Sequence, residues 1–216
     1  MSRAELWKQV AAAEGQGLPQ TAIKYIDPLI QAALADRAYG EAAHAIARKI
    51  VLEGNIQGNK PEEKIRLIAA EVAKAPPEIR PLLQTIEALW YWHYFRENRW
   101  RFMERTRTGE APGEDFTTWD LPRIFAEIER HFAAALEGKE ALRRTPVGDF
   151  GDILAAGTVP DAYRPTLYDF VAHQARAFYG SGEQAAARPQ EAFSISAESP
   201  IFEAPETFLA WEPQTA

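Results

Sequence analysis

The residues able to do acid–base, nucleophilic or metal chemistry are few in this sequence and widely spaced. Histidines stand at 44, 93, 131 and 173. None has the HExxH spacing that sets two imidazoles on one helix face for a metal. They read as packed or surface side chains, and His93, inside an aromatic run, is the one expected to be buried and hydrogen-bonded. Asp169 and His173 are four residues apart, a spacing that a base and its orienting carboxylate could use but that reads first as an ordinary helix pair. Ser181 lies in Gly180-Ser181-Gly182, which lacks the outer frame of a GxSxG elbow and follows a helix instead of a strand. Glu127 and Glu129 fall on a polar helix face and are expected to be solvated. There is no cysteine, which excludes a disulfide, a thiolate metal site or a cysteine nucleophile within these 216 residues. No glycine-rich phosphate loop occurs. An enzyme would need a pocket of perturbed acids, such as Glu97 and Asp120 near Arg99. The expectation is a non-catalytic protein with no cofactor and no metal.

The elements that must position these residues centre on Leu89 to Thr108, where Trp90, Tyr91, Trp92, Tyr94, Phe95, Trp100 and Phe102 crowd together. Leu82, Ile86, Leu89, Trp90 and His93 follow the i, i+4, i+7 spacing of an apolar helix stripe. Trp92, Phe95 and Phe102 lie on another side of the same helix, and a helix apolar on several sides is buried by several neighbours. The spacing predicts one central helix from about Ile79 to Arg105, with Trp92 and Trp100 in the core.

Before it, a helix is expected over Ala4–Glu14, ended by Gly15 and Gly17, with Leu6, Trp7 and Val10 on one face. A second runs from Thr21 to about Asp36, N-capped by Thr21 or Gln20 and bent at Pro28. A third spans about Arg37 to Glu53, with Ala42, Ala43, Ile46, Ile50 and Val51 inward. Gly54-Asn55 and Gly58-Asn59-Lys60 make a polar loop. Pro61 at a first helical position, followed by Glu62 and Glu63, opens a fourth helix to about Lys74. After the central helix, Thr108 to Thr118 reads as an exposed loop. Asp120, or in competition Thr118, caps a helix to about Glu137. Shorter helices are expected over Lys139–Arg144 and near Phe150–Ala156, and a last strong one over Leu167–Tyr179, ended by Gly180 and Gly182. The fold class is all-α, an irregular solenoid-like (tetratricopeptide-like) stack over residues 1–182, without a clean repeat period.

Residues 183–216 differ. Four prolines and no helical period mark an extended arm, Phe193-Ser194-Ile195-Ser196 alternates like a strand, and Phe202, Phe208 and Trp211 have nothing local to bury them. The arm is expected to dock on its own domain or on a neighbour.

Net charge is −7 and the isoelectric point about 5.2, against nucleic acid as the main partner. Locally, Arg96 to Arg107 carries five Arg against two Glu. An anion-binding aromatic face and arginines that flank a buried helix both fit that run; the acidic whole favours the second. No stretch approaches the roughly 20 apolar residues of a membrane span, and the first residues lack a signal peptide's apolar run.

Several blocks occur in a telling order: Gly17-Leu18-Pro19 with Ala22; Asn98-Arg99-Trp100 after Trp92; Arg105-Thr106; Trp119-Asp120-Leu121; and Arg164-Pro165-Thr166-Leu167-Tyr168-Asp169-Phe170 with Ala172-His173. Together they resemble the N-terminal helical region of very large bacterial proteins of the α2-macroglobulin family, over roughly residues 5–180. The resemblance implies a module of a broad-range protease trap, periplasmic, cell-envelope or secreted. In that family such a region precedes a series of β-sandwich macroglobulin domains, and the arm would lead to the first. Trap members expose a bait segment, and some carry a thioester; no bait region is identifiable here, and a thioester needs the cysteine that is lacking. What carries over is a scaffold or docking role. Its partners would be β-sandwich domains of the same full-length chain and, through them, proteases. Trp92, Asn98, Arg99, Trp100, Trp119, Asp120, Arg164, Tyr168, Asp169 and His173 become the structural or interaction candidates. Of these, Arg164, Tyr168 and Asp169 are expected to order the junction between the last helix and the aromatic helix. A free-standing adaptor that binds a peptide or helix in a concave groove is the other class of function the pattern allows.

Overall fold

The structure, a computed structural model, describes residues 1–104, 113, 115–155, 157–158, 160–183 and 202–211. Two compact units divide the chain, Met1–Ser181 and Gly182–Ala216. Among the described residues every regular element is helical, and the fold is all-α.

The first unit is a stack in which successive helices pack on one another. It contains α1 (Arg3–Gly15), α2 (Pro19–Ala35), α3 (Tyr39–Ile56), α4 (Pro61–Lys74), α5 (Arg80–Glu97), α6 (Arg99–Met103), α7 (Leu121–Glu137), α8 (Lys139–Arg144) and α9 (Leu167–Tyr179). Ser2 and Glu5 close a capping box at the start of α1. Pro19 takes the first position of α2, so the chain enters that helix two residues before Thr21, with Leu18 at the N-cap and no side-chain cap. Proline there loses no hydrogen bond, because first-turn N–H groups have no helical partner. The first two helices end alike. Gly17 (φ 69°) and Arg37 (φ 57°) take left-handed backbone, and the following N–H groups of Leu18 and Ala38 reach back to the carbonyls of Ala13 and Ala33. That is the Schellman closure. α3 runs on through Gly54 and Asn55 to Ile56, because Gly54 is buried and the side chain of Lys64 lies over it.

The predicted central helix is two helices. Asn98 (φ −112°, ψ 20°) breaks it, and its Nδ2 donates to the Tyr94 carbonyl at 3.0 Å. Asparagine competes for backbone carbonyls in this way and ends helical runs. Arg105 lies outside the described residues. The turn at Asn98 folds α6 so that Phe102 is buried against Tyr94 and Phe95, ring centroids 6.1 and 5.7 Å apart. Trp100 is thereby turned out to solvent, 64% exposed, contrary to its expected place in the core. His93 is exposed as well and pairs with Glu97 at 3.0 Å. Trp92 is half-buried, edge-on to Phe178 at 5.4 Å. Of the expected stripe only Leu82 is fully buried. The deeply buried row is Leu83, Glu87, Tyr91 and Tyr94.

α5 packs chiefly on α7, and also on α4 and α9. An aromatic core of Phe95, Phe125, Phe132 and Phe178 joins α5, α7 and α9. A second core of Leu6, Val10, Ala22, Ile26, Leu29, Ile46 and Ile50 joins α1, α2 and α3. The helix expected near Phe150–Ala156 is a 3₁₀ turn over Val147–Phe150 followed by turns. Gly148 and Gly151 there leave no run long enough for an α-helix nucleus.

In the second unit the described residues form α10 (Pro205–Ala210), where the sequence suggested no helix. Pro205 at its first position and Glu206 beside it supply the start signal. Phe202, Phe208 and Leu209 are exposed and Trp211 is half-buried. Phe193–Ser196 lies outside the described residues.

Candidate functional site

Among the described residues, the one concentration of buried ionisable groups lies between α5 and α7. Glu87 sits two turns into α5 in the row Leu83, Glu87, Tyr91, so the packing that buries that row takes a carboxyl inside with it. On α7, Glu127 and His131 are four residues apart among Ile124, Phe125, Ile128 and Phe132, and they share the inward face. Glu87 and His131 are each 3% exposed and Glu127 8%. Glu127 was expected to be solvated; it is inside because its i, i+4 partner is.

His131 Nδ1 stands 3.2 Å from Glu87 Oε2, and His131 Nε2 3.4 Å from Glu127 Oε1. Arg130 Nη2 donates to Glu127 Oε1 at 2.6 Å and lies 3.1 Å from His131 Nε2. Arg123 Nη1 approaches Glu127 Oε2 at 3.5 Å. The imidazole stacks on Tyr91 with centroids 5.7 Å apart, and Tyr91 stacks in turn on Trp119 at 6.0 Å. Glu87 Oε2 and His131 Nδ1 are at hydrogen-bonding separation yet out of alignment. Among the described residues they are the buried side-chain atoms that have no hydrogen bond.

Burial disfavours a charge on Glu87, and Glu127 adds repulsion, so its carboxyl is pushed up to about 7 despite the attraction of Arg130. Burial also acts against the Glu127 charge. Hydrogen bonds from His131 and Arg130 outweigh it and hold that carboxyl down at about 2. Burial pushes the Tyr91 hydroxyl up as well. Two carboxyls on either side of one imidazole are thus held far apart in acidity. Such an arrangement can store or pass a proton. Glu87 carried no distinctive sequence signal except its place in the row between Leu83 and Tyr91.

Of the residues that carry the family resemblance, Trp119 borders this cluster through its stack on Tyr91, and the others stand away from it. Asn98, Arg99 and Trp100 stand at the α5–α6 break. Asp120 N-caps α7, its Oδ1 accepting from the Arg123 N–H at 3.0 Å. Trp119 is buried, donates its Nε1–H to the Gly113 carbonyl at 2.7 Å and lies under the Arg123 guanidinium. Asp169 closes a capping box with Thr166 at the start of α9 and is spent there. Tyr168 lies under the guanidinium of Arg143 in α8. The entry to α9 is also tied to the chain after α8. The Leu167 N–H reaches the Thr145 carbonyl and the Val147 N–H the Pro165 carbonyl, both at 2.9 Å. Tyr168 and Asp169 therefore order the α8–α9 junction, and a ring contact between Phe178 and Trp92 is among those that join α9 to the aromatic helix.

Arg164 and His173 share a cleft of about 550 Å³ with Ile153, Leu154 and Phe170. A second cleft, of about 590 Å³, opens between the first turn of α3, the start of α5 and α8, with Tyr39, Pro77, Pro81, Arg144 and Phe150 on its walls. Among the described residues there is no group of three or more His, Asp or Glu placed to hold a metal ion, and no helix long and apolar enough to cross a membrane. No family model, characterised protein or solved structure matches this chain.

Proposed function

We propose that this chain is a non-catalytic helical scaffold or docking module, the N-terminal region of a bacterial α2-macroglobulin-like broad-range protease inhibitor. The observation that carries the reading is where the resembling blocks fall. Leu18-Pro19 starts α2, Asn98-Arg99-Trp100 spans the α5–α6 break, Trp119-Asp120-Leu121 starts α7, and Thr166 to Phe170 starts α9. Helix starts and breaks set the direction of each layer in a stack, which is what a scaffold must keep, and none of these roles involves a substrate. On this reading the partners are β-sandwich domains of the same full-length protein and, through that protein, proteases of the periplasm, cell envelope or exterior. The acidic balance fits a protein partner better than a nucleic acid.

A peptide-binding adaptor is the second reading, favoured by the cleft walled by Tyr39, Pro77, Pro81 and Phe150, since aromatic and proline walls suit extended peptides. Immunoblotting of the source cells separates the two. A native polypeptide many times larger than 24.2 kDa supports the trap module. A band at the size of this chain overturns it and leaves the adaptor.

A further inference from the structure

We infer that His131 is a proton-gated tautomer switch that links the buried Glu87 carboxyl, past the buried Glu127, to the exposed guanidinium of Arg130. The inference stands apart from the macroglobulin reading and rests on three distances around one ring. Nδ1 has a single facing group, Glu87 Oε2 at 3.2 Å. Nε2 has two, a carboxylate oxygen of Glu127 at 3.4 Å and a guanidinium nitrogen of Arg130 at 3.1 Å. A carboxylate asks Nε2 to carry a proton. A guanidinium N–H, which only donates, asks it to be bare. A neutral imidazole satisfies one of the two at a time, and the choice is set by what Nδ1 carries.

With Glu87 protonated, its O–H donates to a bare Nδ1, the ring proton sits on Nε2, and Nε2–H faces Glu127. With one proton fewer, Nδ1 holds the proton and donates to the Glu87 carboxylate, while Nε2 is bare and accepts from Arg130. The proton count balances. The Glu87 proton passes to Nδ1, and the ring releases its Nε2 proton toward Glu127, whose side chain is 11% exposed and gives the proton to water. Glu87 Oε2 and His131 Nδ1 stand 3.2 Å apart, out of alignment and with no other partner, so a small rotation of either side chain places one proton between them in each form.

The charged and titratable groups around Glu87 are Glu127, Arg130, Arg123 and His131 from α7, and Tyr91 from its own helix. Among the described residues α4 and α9, which also pack on α5, contribute no charge that acts on it. The elevated acidity range of Glu87 brings the change near neutral pH. The readout at the surface is Arg130, whose side chain is 57% exposed and which gains a hydrogen bond to the ring as the pH rises.

The test is ¹⁵N NMR of the full chain with labelled histidine, following the His131 ring nitrogens from pH 5 to 9. The expected result is an Nε2–H ring at the acid end and an Nδ1–H ring at the alkaline end, with the midpoint near 7. In Glu87→Gln, where no titrating proton faces Nδ1, the ring should hold one tautomer across the range. A wild-type ring that keeps one tautomer throughout, or that passes between imidazolium and a single neutral form, overturns the proposal. So does a Glu87→Gln ring that switches at the wild-type pH. The wild-type titration decides the matter alone if the variant does not fold.

Discussion

Gly40, in the first turn of α3, rests its Cα against the backbone of Asp149. A Cβ built there would overlap the Asp149 carbonyl oxygen and lie 2.9 Å from its carbon and 3.3 Å from the Phe150 Cα. These are backbone atoms and cannot rotate aside. Gly40→Ala must therefore push the 3₁₀ turn off α3 and unseat Phe150, which is 1% exposed. Overpacking of this kind costs at least about 1–3 kcal/mol. Urea unfolding monitored by circular dichroism should show a lowered midpoint. Gly138→Ala is the control, because a Cβ there meets nothing and its φ is −81°. It should stay within about 1 kcal/mol of wild type. Equal midpoints for the two variants would contradict the contact.

The aromatic run contains residues of opposite fate five positions apart, on either side of the Asn98 break. Phe95 is 1% exposed and touches Phe102 and Phe125, while Trp100 is 64% exposed. Phe95→Ala should leave a cavity and destabilise by about 3–5 kcal/mol. Trp100→Ala should change stability by no more than about 0.5 kcal/mol, as surface substitutions do. The sequence alone, which put Trp100 in the core, implied a large loss for both; chemical denaturation of the two variants distinguishes the cases.

What was legible in the sequence follows from how much of each signal is local. Pro61 at a first helical position and Gly180 and Gly182 past a last one act within a few residues, and the ranges of α4 and α9 could be read from such signals. The Asn98 break could not, because an asparagine weakens a helix without ending it unless the turn gains packing, and here that gain is the burial of Phe102. The Glu87–His131 contact was hidden for a different reason. A row of Leu83, Glu87, Tyr91 and Tyr94 scores as amphipathic on its outer side, so hydropathy pointed to Leu82, Ile86, Leu89 and Trp90 instead. Which face of a many-sided helix is deepest is decided by its neighbours, and α7 is distant in sequence. Glu127 was misplaced on the same ground, since its burial depends on the partner helix.

Arg37 ends the second layer in left-handed backbone (φ 57°), a conformation that costs a side-chain-bearing residue on the order of 1–2 kcal/mol. Gly17 holds the corresponding place after α1 without that cost. Arg37→Gly should therefore stabilise the stack, less the greater freedom glycine has in the unfolded chain, by about 0.5–1 kcal/mol. For a chain of this size that raises the thermal midpoint by roughly 1–4 °C. A lowered midpoint in differential scanning calorimetry would show that the Arg37 side chain contributes more than its backbone conformation costs.

Acidity held apart at Glu87 and Glu127 makes stability depend on pH in opposite senses. Glu87 is raised from the usual 4.5 to about 7. Between those values the unfolded chain releases this proton and the folded chain keeps it, so folding weakens as pH rises from 4.5 to 7 and stays weakened above. Glu127 is lowered from 4.5 to about 2. Its contribution is complete above 4.5 and is lost as pH falls through 2. Each shift corresponds to at most about 3.5 kcal/mol. The two limbs meet near pH 4.5, where these groups favour the folded state most. Unfolding free energies measured by urea denaturation from pH 3 to 8 should show that maximum. In Glu87→Gln the alkaline limb should flatten, so that the variant gains on wild type between pH 4.5 and 7 and then runs parallel to it. In Glu127→Gln the acid limb should flatten instead. A difference curve between Glu87→Gln and wild type that is level from pH 4.5 to 8 would mean that Glu87 ionises inside the fold as readily as in water, which its burial beside Glu127 forbids.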